Sequence, residues 1–328
     1  MIDLKTKYLG LNLKNPIIVG SSGITKSLDN IIKLEKHGAA AVVLKSLFEE
    51  QITYEISKLH KSGDVLYAYP EAEDYIANYA RHNTLDEYLK LIRDSKKSVS
   101  IPVIASINCV SASEWTIFAK KIQEAGADAL ELNAFILPSD FSRSSDDNEK
   151  IYFKIIEEVK KHISIPIVLK IHHYFSALAQ TAQKLSWTGI SGLVIFNRFF
   201  APDIDIDNKR VVATHIYSNP EDIAISLRWV AILSGNVQCD ISASTGIHDG
   251  KSVVKQLLAG AKTVQVCSTL YKNGFQQIEL MLSYLEEWMN KNNYSDIEQF
   301  RGKMSHKKHD NPAAYQRVQF MKHHAGIE

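Results

Sequence analysis

Residues 240–271 read DISASTGIHDGKSVVKQLLAGAKTVQVCSTLY, and this stretch indicates the fold of the chain. It predicts a strand that ends in the small residues 242–246, a helix over 251–258 and a second strand that ends at 267–269. Small residues after two adjacent strands leave backbone N–H groups free to face an anion, and a nearby helix N-terminus adds its dipole. The loops after strands seven and eight of an eightfold β/α barrel bind phosphate in this way. We therefore interpret the stretch as a phosphate-binding unit that other βα units must precede.

Two short phrases recur along the chain and mark where strands begin. The first places glycine or alanine between a helix and a buried strand: HGAAAVVLKS at 37–46, AGADALELN at 125–133, TGISGLVIFN at 188–197 and AGAKTVQVCS at 259–268. Glycine there supplies the left-handed helix cap. The second phrase is proline followed by an apolar strand: NPIIVG at 15–20, IPVIAS at 101–106 and IPIVLK at 165–170. Proline is tolerated at the start of a strand, and apolar runs are typical of strands covered on both faces.

The recurring phrases predict alternating strands and helices. The predicted strands cover 17–20, 41–45, 102–107, 129–133, 166–171, 192–197, 237–242 and 263–267. The predicted amphipathic helices cover 28–37, 85–97, 114–124, 149–162, 177–185, 220–233 and 252–258. This alternation indicates an α/β fold, and the repetition favours a (β/α)8 TIM barrel over 1–290. A doubly wound parallel sheet is the alternative, because periodicity alone does not show closure.

Three long insertions follow predicted strand ends, at 47–83, 137–148 and 199–219. A barrel keeps its chemistry at that face, so we expect these insertions to border the site. The segment 291–328 is predicted to be a helical extension that packs on the outside of the barrel.

Composition excludes several functional classes. The chain is 45% hydrophobic and 23% charged, and its formal net charge is +1. Neither nucleic acid nor an anionic membrane surface is therefore an expected partner. No apolar run reaches the length of a membrane span. Cys109, Cys239 and Cys267 have no metal-binding spacing, so we expect a cytoplasmic protein without a metal centre.

Polar residues close most of the apolar strands and must converge on one mouth of the barrel. They are Ser21, Ser22, Gly23, Lys45, Ser46, Asn108, Asn133, Lys170 and Asn197. Two lysines, three asparagines and a phosphate-binding unit suit a flat, anionic cofactor such as flavin mononucleotide (FMN), because a cation stabilises the reduced ring. An ion pair at the rim is the alternative for either lysine. A strand-end or turn role is the alternative for each asparagine.

These segments resemble the dihydroorotate dehydrogenase family, in particular its soluble branch, and the pyrimidine-reducing domain of dihydropyrimidine dehydrogenase. The resemblance covers roughly 1–290. It rests on NPIIVGSSG at 15–23, Lys45-Ser46, ELN at 131–133, VLK at 168–170, Thr245-Gly246 and QVCS at 265–268.

The resemblance implies roles for these residues. The implied FMN-binding residues are Ser21, Ser22, Gly23, Lys45, Ser46, Asn133 and Lys170, with the phosphate held by Thr245, Gly246, Cys267 and Ser268. Asn108 and Asn197 match positions that face the pyrimidine substrate or the flavin. Cys267 is interpreted as a small residue of the phosphate loop rather than as a nucleophile.

The chain departs from the family pattern at the catalytic base. Ile136 stands where soluble members carry the catalytic cysteine, and isoleucine accepts no proton. We predict Lys45 and Ser139 as catalytic residues, with a polar surface loop as the alternative for Ser139. His172 and His173 follow Lys170, and either is a candidate acid or substrate contact, with a surface role as the alternative.

The leading hypothesis is an FMN-dependent oxidoreductase of the dihydroorotate dehydrogenase type, or a relative that acts on a similar pyrimidine-like molecule. A soluble electron acceptor or an electron-transfer partner chain is expected, and a homodimer is expected by analogy. Two alternatives remain open. One is a phosphate-binding barrel lyase or synthase with Lys45 or Lys170 as a Schiff-base amine. The other is a non-catalytic flavin-binding protein.

Overall fold

The computed structural model describes residues 2–48, 85–108, 112–134, 136–198 and 202–316. Most of the predicted insertion at 47–83 lies outside the described residues, and so does Cys109. Elements are numbered below in chain order within the barrel.

The core is a closed barrel of parallel strands. The strands are β1 (Ile17–Val19), β2 (Ala41–Val43), β3 (Val103–Asn108), β4 (Ala129–Asn133), β5 (Ile167–Ile171), β6 (Gly192–Ile195), β7 (Asp240–Ser244) and β8 (Thr263–Val266). Each strand pairs with the next, and β8 returns to β1, where Gln265 lies opposite Ile18. The predicted (β/α)8 barrel is confirmed, and closure excludes the doubly wound sheet.

Helices surround the barrel. They are α1 (Leu28–Lys36), α2 (85–98 among the described residues), α3 (Ala112–Glu124), α4 (Ser145–Lys160), α5 (Leu178–Trp187), α6 (Ile223–Leu233) and α7 (Gly250–Ala259), followed by α8 (Ser268–Asn273) and α9 (Gln277–Lys291). Their apolar faces pack on the outer faces of the strands in one large buried cluster. Burying apolar surface on both faces of the strands is the main stabilising contribution in such a fold.

A short hairpin closes the N-terminal end of the barrel. Its antiparallel strands are Thr6–Tyr8 and Leu11–Leu13, and the turn places Leu9 and Gly10 at positive φ. Tyr8 is 1% exposed and belongs to a second buried cluster with Ile18 and Ala129. With this end plugged by apolar side chains, the open mouth lies at the carboxyl ends of the strands.

Two predicted regions differ in detail. The insertion after β6 contains an antiparallel hairpin, Pro202–Asp205 with Arg210–Ala213. The extension after α9 is less helical than predicted: within 292–316 only the turns Ile297–Gln299 and Ala313–Gln316 are helical. Backbone bonds to α6 and α7, such as Met304 N–H to Leu258 O at 2.9 Å, replace helix bonds and hold the extension on the barrel. The domain boundary at 290 stays a prediction.

Candidate functional site

The predicted phosphate-binding residues lie side by side at the mouth. Ser244 of β7 pairs with Gln265 of β8, so the loops that follow these strands begin next to each other. One cavity of about 230 Å³ is lined by all four predicted residues, namely Thr245, Gly246, Cys267 and Ser268. The four residues predicted to hold the phosphate therefore line one cavity between β7 and β8, and their binding role stays a prediction.

The backbone of the β7 loop is held tightly against α6. Thr245 and Gly246 have φ of +76° and +77°, and the Thr245 hydroxyl donates to the Phe196 carbonyl at 3.1 Å. An ideal Cβ on Gly246 would overlap the backbone nitrogen of Ile223. Only glycine permits both this φ and this contact.

Charge in the same cavity favours an anion. Lys170 and Arg198 line it, and no carboxylate of the described residues does. Hydroxyl groups of Ser21, Ser218 and Ser268 are among the other polar groups that line it. Cations and hydroxyl donors without a competing carboxylate are the donor set that a phosphate or an anionic ring requires.

Lys170 is held by a buried polar network that the sequence did not predict. Its Nζ donates to Gln265 Oε1 at 3.2 Å and lies 3.5 Å from Glu131 Oε1. Gln265 Nε2 donates to Glu131 Oε2 at 2.7 Å, and Glu131 has no exposed surface. A buried carboxylate requires such partners, so the three side chains fix one another at the base of the mouth.

The two asparagines predicted at the ends of β4 and β6 meet directly. Asn133 pairs with Lys170 across β4 and β5, and the Asn197 backbone N–H donates to Ile171 O at 2.8 Å. The Asn197 side-chain amide donates to Asn133 Oδ1. The pair places amide groups next to the lysine, and Asn197 also lines the 230 Å³ cavity.

The serines after β1 and β2 form a hydrogen-bonded row. Ser21 Oγ accepts from the Ser46 backbone N–H at 2.8 Å, and Ser46 Oγ shares a 2.7 Å hydrogen bond with Ser106 Oγ. Of these three serines only Ser21 lines the cavity, and its hydroxyl is held by Ser46, which is in turn bonded to Ser106.

Cys267 lies where the row meets the β8 loop. Burial raises the pKa of its thiol, while a hydrogen bond with Ser22 and the charge of Lys170 act in the opposite direction. A buried thiol with a raised pKa is a poor nucleophile. An ideal Cβ on the neighbouring Gly23 would lie 2.8 Å from Tyr271 Oη, which explains the small residue there.

Seven predicted site residues do not line this cavity, namely Ser22, Gly23, Lys45, Ser46, Asn108, Asn133 and Ser139, and three of them have no contact described above. Lys45 is half-buried and forms no hydrogen bond or ion pair with another described residue. Asn108 ends β3, where its backbone pairs with Phe48. Ser139 is exposed on the loop before α4, and its backbone N–H donates to Leu137 O at 2.8 Å. Their catalytic and binding roles stay predictions.

A segment that the sequence analysis treated only as an insertion covers the phosphate loops. Arg198 donates from Nη1 to Ile216 O and from Nη2 to His215 O, both at 2.9 Å. The Ser218 backbone N–H donates to Ser268 Oγ at 3.0 Å. Ile216 and Ser218 thereby form one wall of the cavity.

The described residues contain no cluster of three or more His, Cys, Asp or Glu side chains that could hold a metal ion. Within the same residues, no helix combines the length and apolar character needed to cross a membrane.

The closed parallel barrel, with a cationic and hydroxyl-lined mouth at its carboxyl end, places the chain in the class of (β/α)8-barrel enzymes. The family model for dihydroorotate dehydrogenase matches residues 3–289. The chain belongs to the dihydroorotate dehydrogenase family, as its sequence motifs predicted, and is an oxidoreductase that acts on a CH–CH bond.

Similar proteins carry a common name. The Thermoplasma acidophilum protein is 27% identical over 307 residues, which cover 92% of this chain and 99% of the relative. The Methanocaldococcus jannaschii protein is 26% identical over 296 residues, 87% of this chain and 94% of the relative. The Petrotoga mobilis protein is 25% identical over 310 residues, 92% of this chain and 99% of the relative. Each is named dihydroorotate dehydrogenase B (NAD(+)), catalytic subunit. This similarity favours the oxidoreductase over the lyase alternative.

Proposed function

We propose that this chain is an FMN-dependent dehydrogenase that oxidises the CH–CH bond of dihydroorotate or of a similar pyrimidine-like molecule. The observation that carries the proposal is the cavity between β7 and β8. The chain belongs to the dihydroorotate dehydrogenase family, and its cavity is lined by Lys170, Arg198 and small polar residues. Among the described residues, no carboxylate lines this cavity. When bound, FMN supplies an acceptor for a hydride and its two electrons.

The residues at the mouth fit FMN by their chemistry. Thr245, Gly246 and Ser268 line the cavity and offer hydroxyl and backbone groups to a phosphate. The start of α6 lies so close to Gly246 that a Cβ at this position would overlap it. Lys170 offers a cation to the ring, and its ion pair with Glu131 holds it in place. The amides of Asn133 and Asn197 provide donors and acceptors beside it.

The name of the relatives, catalytic subunit, suggests that a partner chain takes up the electrons from the reduced cofactor. We propose a soluble acceptor or a partner electron-transfer chain for this protein as well. The homodimer and the cytoplasmic location stay predictions.

Titration with FMN and with riboflavin tests the cofactor site. If the β7 and β8 loops hold the phosphate, the wild type binds FMN at least about 100-fold more tightly than riboflavin, because several charge-assisted bonds are lost with the phosphate. The variant Ser268→Asp places a negative charge in the cavity and is expected to abolish this preference. Ser98→Asp, an exposed change in α2, is the matched control and should leave the preference intact. Equal affinity for both ligands in the wild type would contradict the proposal.

A further inference from the structure

Two consecutive histidines follow β5 at the mouth, and the structure gives them different surroundings. His172 is 1% exposed. Its Nε2 shares a 2.8 Å hydrogen bond with Tyr152 Oη, and its Nδ1 accepts from the Tyr174 backbone N–H at 2.8 Å. The ring also stacks on Phe175 with 4.7 Å between centroids. With both nitrogens occupied inside the protein, His172 is a structural residue that holds its neighbours.

His173 has the opposite character. It is half-buried. Its ring centroid lies 4.4 Å from that of Tyr174 and 5.7 Å from that of Phe196, which it meets edge-on. No hydrogen bond links its side chain to another described residue. Its two ring nitrogens are therefore available to a ligand at the mouth.

The position of His173 connects the cavities of the mouth. It lines a cavity of about 460 Å³ together with Ile136, the residue that stands at the family's base position. It also lines a cavity of about 590 Å³ together with Phe196 and Asn197. The last two residues reappear in the 230 Å³ cavity beside Lys170. His173 therefore borders both the cavity that contains position 136 and a cavity that shares Phe196 and Asn197 with the proposed cofactor site.

We propose that His173 is the catalytic acid–base residue of this chain and that it contacts the substrate in place of the missing base at position 136. This inference rests on the proposed function. The His173 imidazole removes a proton from one substrate carbon, and the electron pair of that C–H bond forms the new C=C bond. The adjacent carbon loses a hydride, with its two electrons, to the bound flavin. His173 then releases its proton to water.

The other titratable groups around His173 are less suited to this role. In the cavity of about 460 Å³, the Glu149 carboxylate accepts a hydrogen bond from the Thr181 hydroxyl, and the Tyr152 hydroxyl is bonded to His172. In the larger cavity Asp222 caps the Asn219 N–H and lies 3.8 Å from Arg198. His215 is exposed and shares only the larger cavity. Burial lowers the pKa of His173, which keeps the imidazole neutral and able to accept a proton near pH 7.

The variants His173→Gln and His162→Gln in the flavin-loaded protein test the inference. His173→Gln should keep wild-type FMN content and bind orotate with a Kd within about threefold of wild type, while the rate of anaerobic flavin reduction by dihydroorotate falls by about 100-fold, as for loss of a general base. His162→Gln changes an exposed histidine that follows α4 and is the control, so this variant should be reduced at the wild-type rate. A His173→Gln rate equal to wild type would overturn the inference and leave the proposed function standing. A wild type that takes up no FMN would overturn both.

Acylation by diethyl pyrocarbonate supplies a readout that does not depend on turnover. Tandem mass spectrometry of the 171–184 segment should find His173 acylated and His172 unmodified. Orotate should slow the acylation of His173 at least fivefold. If orotate binds but leaves this acylation unchanged, His173 does not face the substrate and the inference fails. This outcome can be read even in a protein whose flavin is not reduced by dihydroorotate.

Discussion

The Nζ of Lys170 lies 3.5 Å from Oε1 of Glu131, a carboxylate buried at the centre of the barrel. The negative charge of Glu131 therefore offsets the cation that faces the cofactor cavity. In the proposed complex with FMN, the reduced ring would carry negative charge near this lysine, so we expect the pair to influence the stability of the reduced cofactor.

Replacing Glu131 by glutamine should raise the reduction potential of bound FMN. The change removes a buried negative charge and leaves Lys170 unopposed, so we expect an upward shift of roughly 30 mV or more, about 1.4 kcal/mol for a two-electron couple. Lys170→Met should shift the potential downward. Dye-equilibration titration measures both. Glu35→Gln is the control, since Glu35 accepts from Ser100 at the opposite end of the barrel. Equal potentials in all four proteins would refute this electrostatic role.

Replacing Gly246 by alanine should disrupt the β7 loop. The added Cβ overlaps the start of α6 and must also accept a φ of +77°, so we expect a loss of roughly 3 kcal/mol or more in the free energy of unfolding. Gly126→Ala is a matched control, because Gly126 has φ of +95° but no atom within 4 Å of the ideal Cβ. It should cost about 1–2 kcal/mol from backbone strain alone. Urea denaturation that finds equal losses would contradict the packing argument.

The stability of the protein should depend on His172 below neutral pH. Burial lowers the pKa of His172 from 6.5 to about 4 in the folded state. The unfolded chain takes up a proton below pH 6.5, whereas the folded chain does so only near pH 4. Stability from the neutral ring is thus present above pH 6.5 and is lost as pH falls through this window, by about 1.4 kcal/mol per unit.

Denaturation of His172→Gln at pH 7.5 and 5 measures this contribution. The variant should be less stable than wild type at pH 7.5, because Tyr152 loses its partner, but its stability should fall less between the two pH values. His162→Gln, an exposed change, should follow the wild type. The same pH dependence in His172→Gln and wild type would show that His172 does not titrate in this way.

Introducing a cysteine at position 136 should accelerate substrate oxidation. Ile136 lines the 460 Å³ cavity with His173, so Ile136→Cys adds a proton acceptor on the same side of the mouth. We expect anaerobic reduction by dihydroorotate to rise about tenfold, and by a larger factor in the His173→Gln background. Ile136→Ala controls for the space created. No gain of the cysteine over the alanine variant would place position 136 away from the reacting carbon.

The barrel was predictable because seven of its eight strands, all except β7, are short apolar runs with a proline or glycine shortly before them. The exact ends of the strands were less predictable. The seventh strand was predicted at 237–242 but spans Asp240–Ser244, because the Val237 N–H still bonds to Leu233 O at the end of α6. The N-terminal hairpin was missed, although the alternation in TKYLGLNL at 6–13 is its signal.

The site was predictable where it follows strand ends and not where it depends on closure. Thr245, Gly246, Cys267 and Ser268 could be found from small residues after two neighbouring strands. The Gln265 bonds to Lys170 and Glu131 span 95 and 134 residues of sequence, so only the closed barrel brings these side chains together. The alternation in TVQV at 263–266 was the available signal for Gln265. The contrast between His172 and His173 depends on where Tyr152 of α4 lies.

The visible spectrum of the purified protein, before and after anaerobic dihydroorotate, tests the central claim most directly. We predict a flavin spectrum that bleaches on addition, with FMN released on denaturation. A flavin spectrum that stays unchanged would contradict the proposed reaction and favour a non-catalytic flavin-binding protein. A colourless protein that takes up no added FMN would contradict the cofactor site itself.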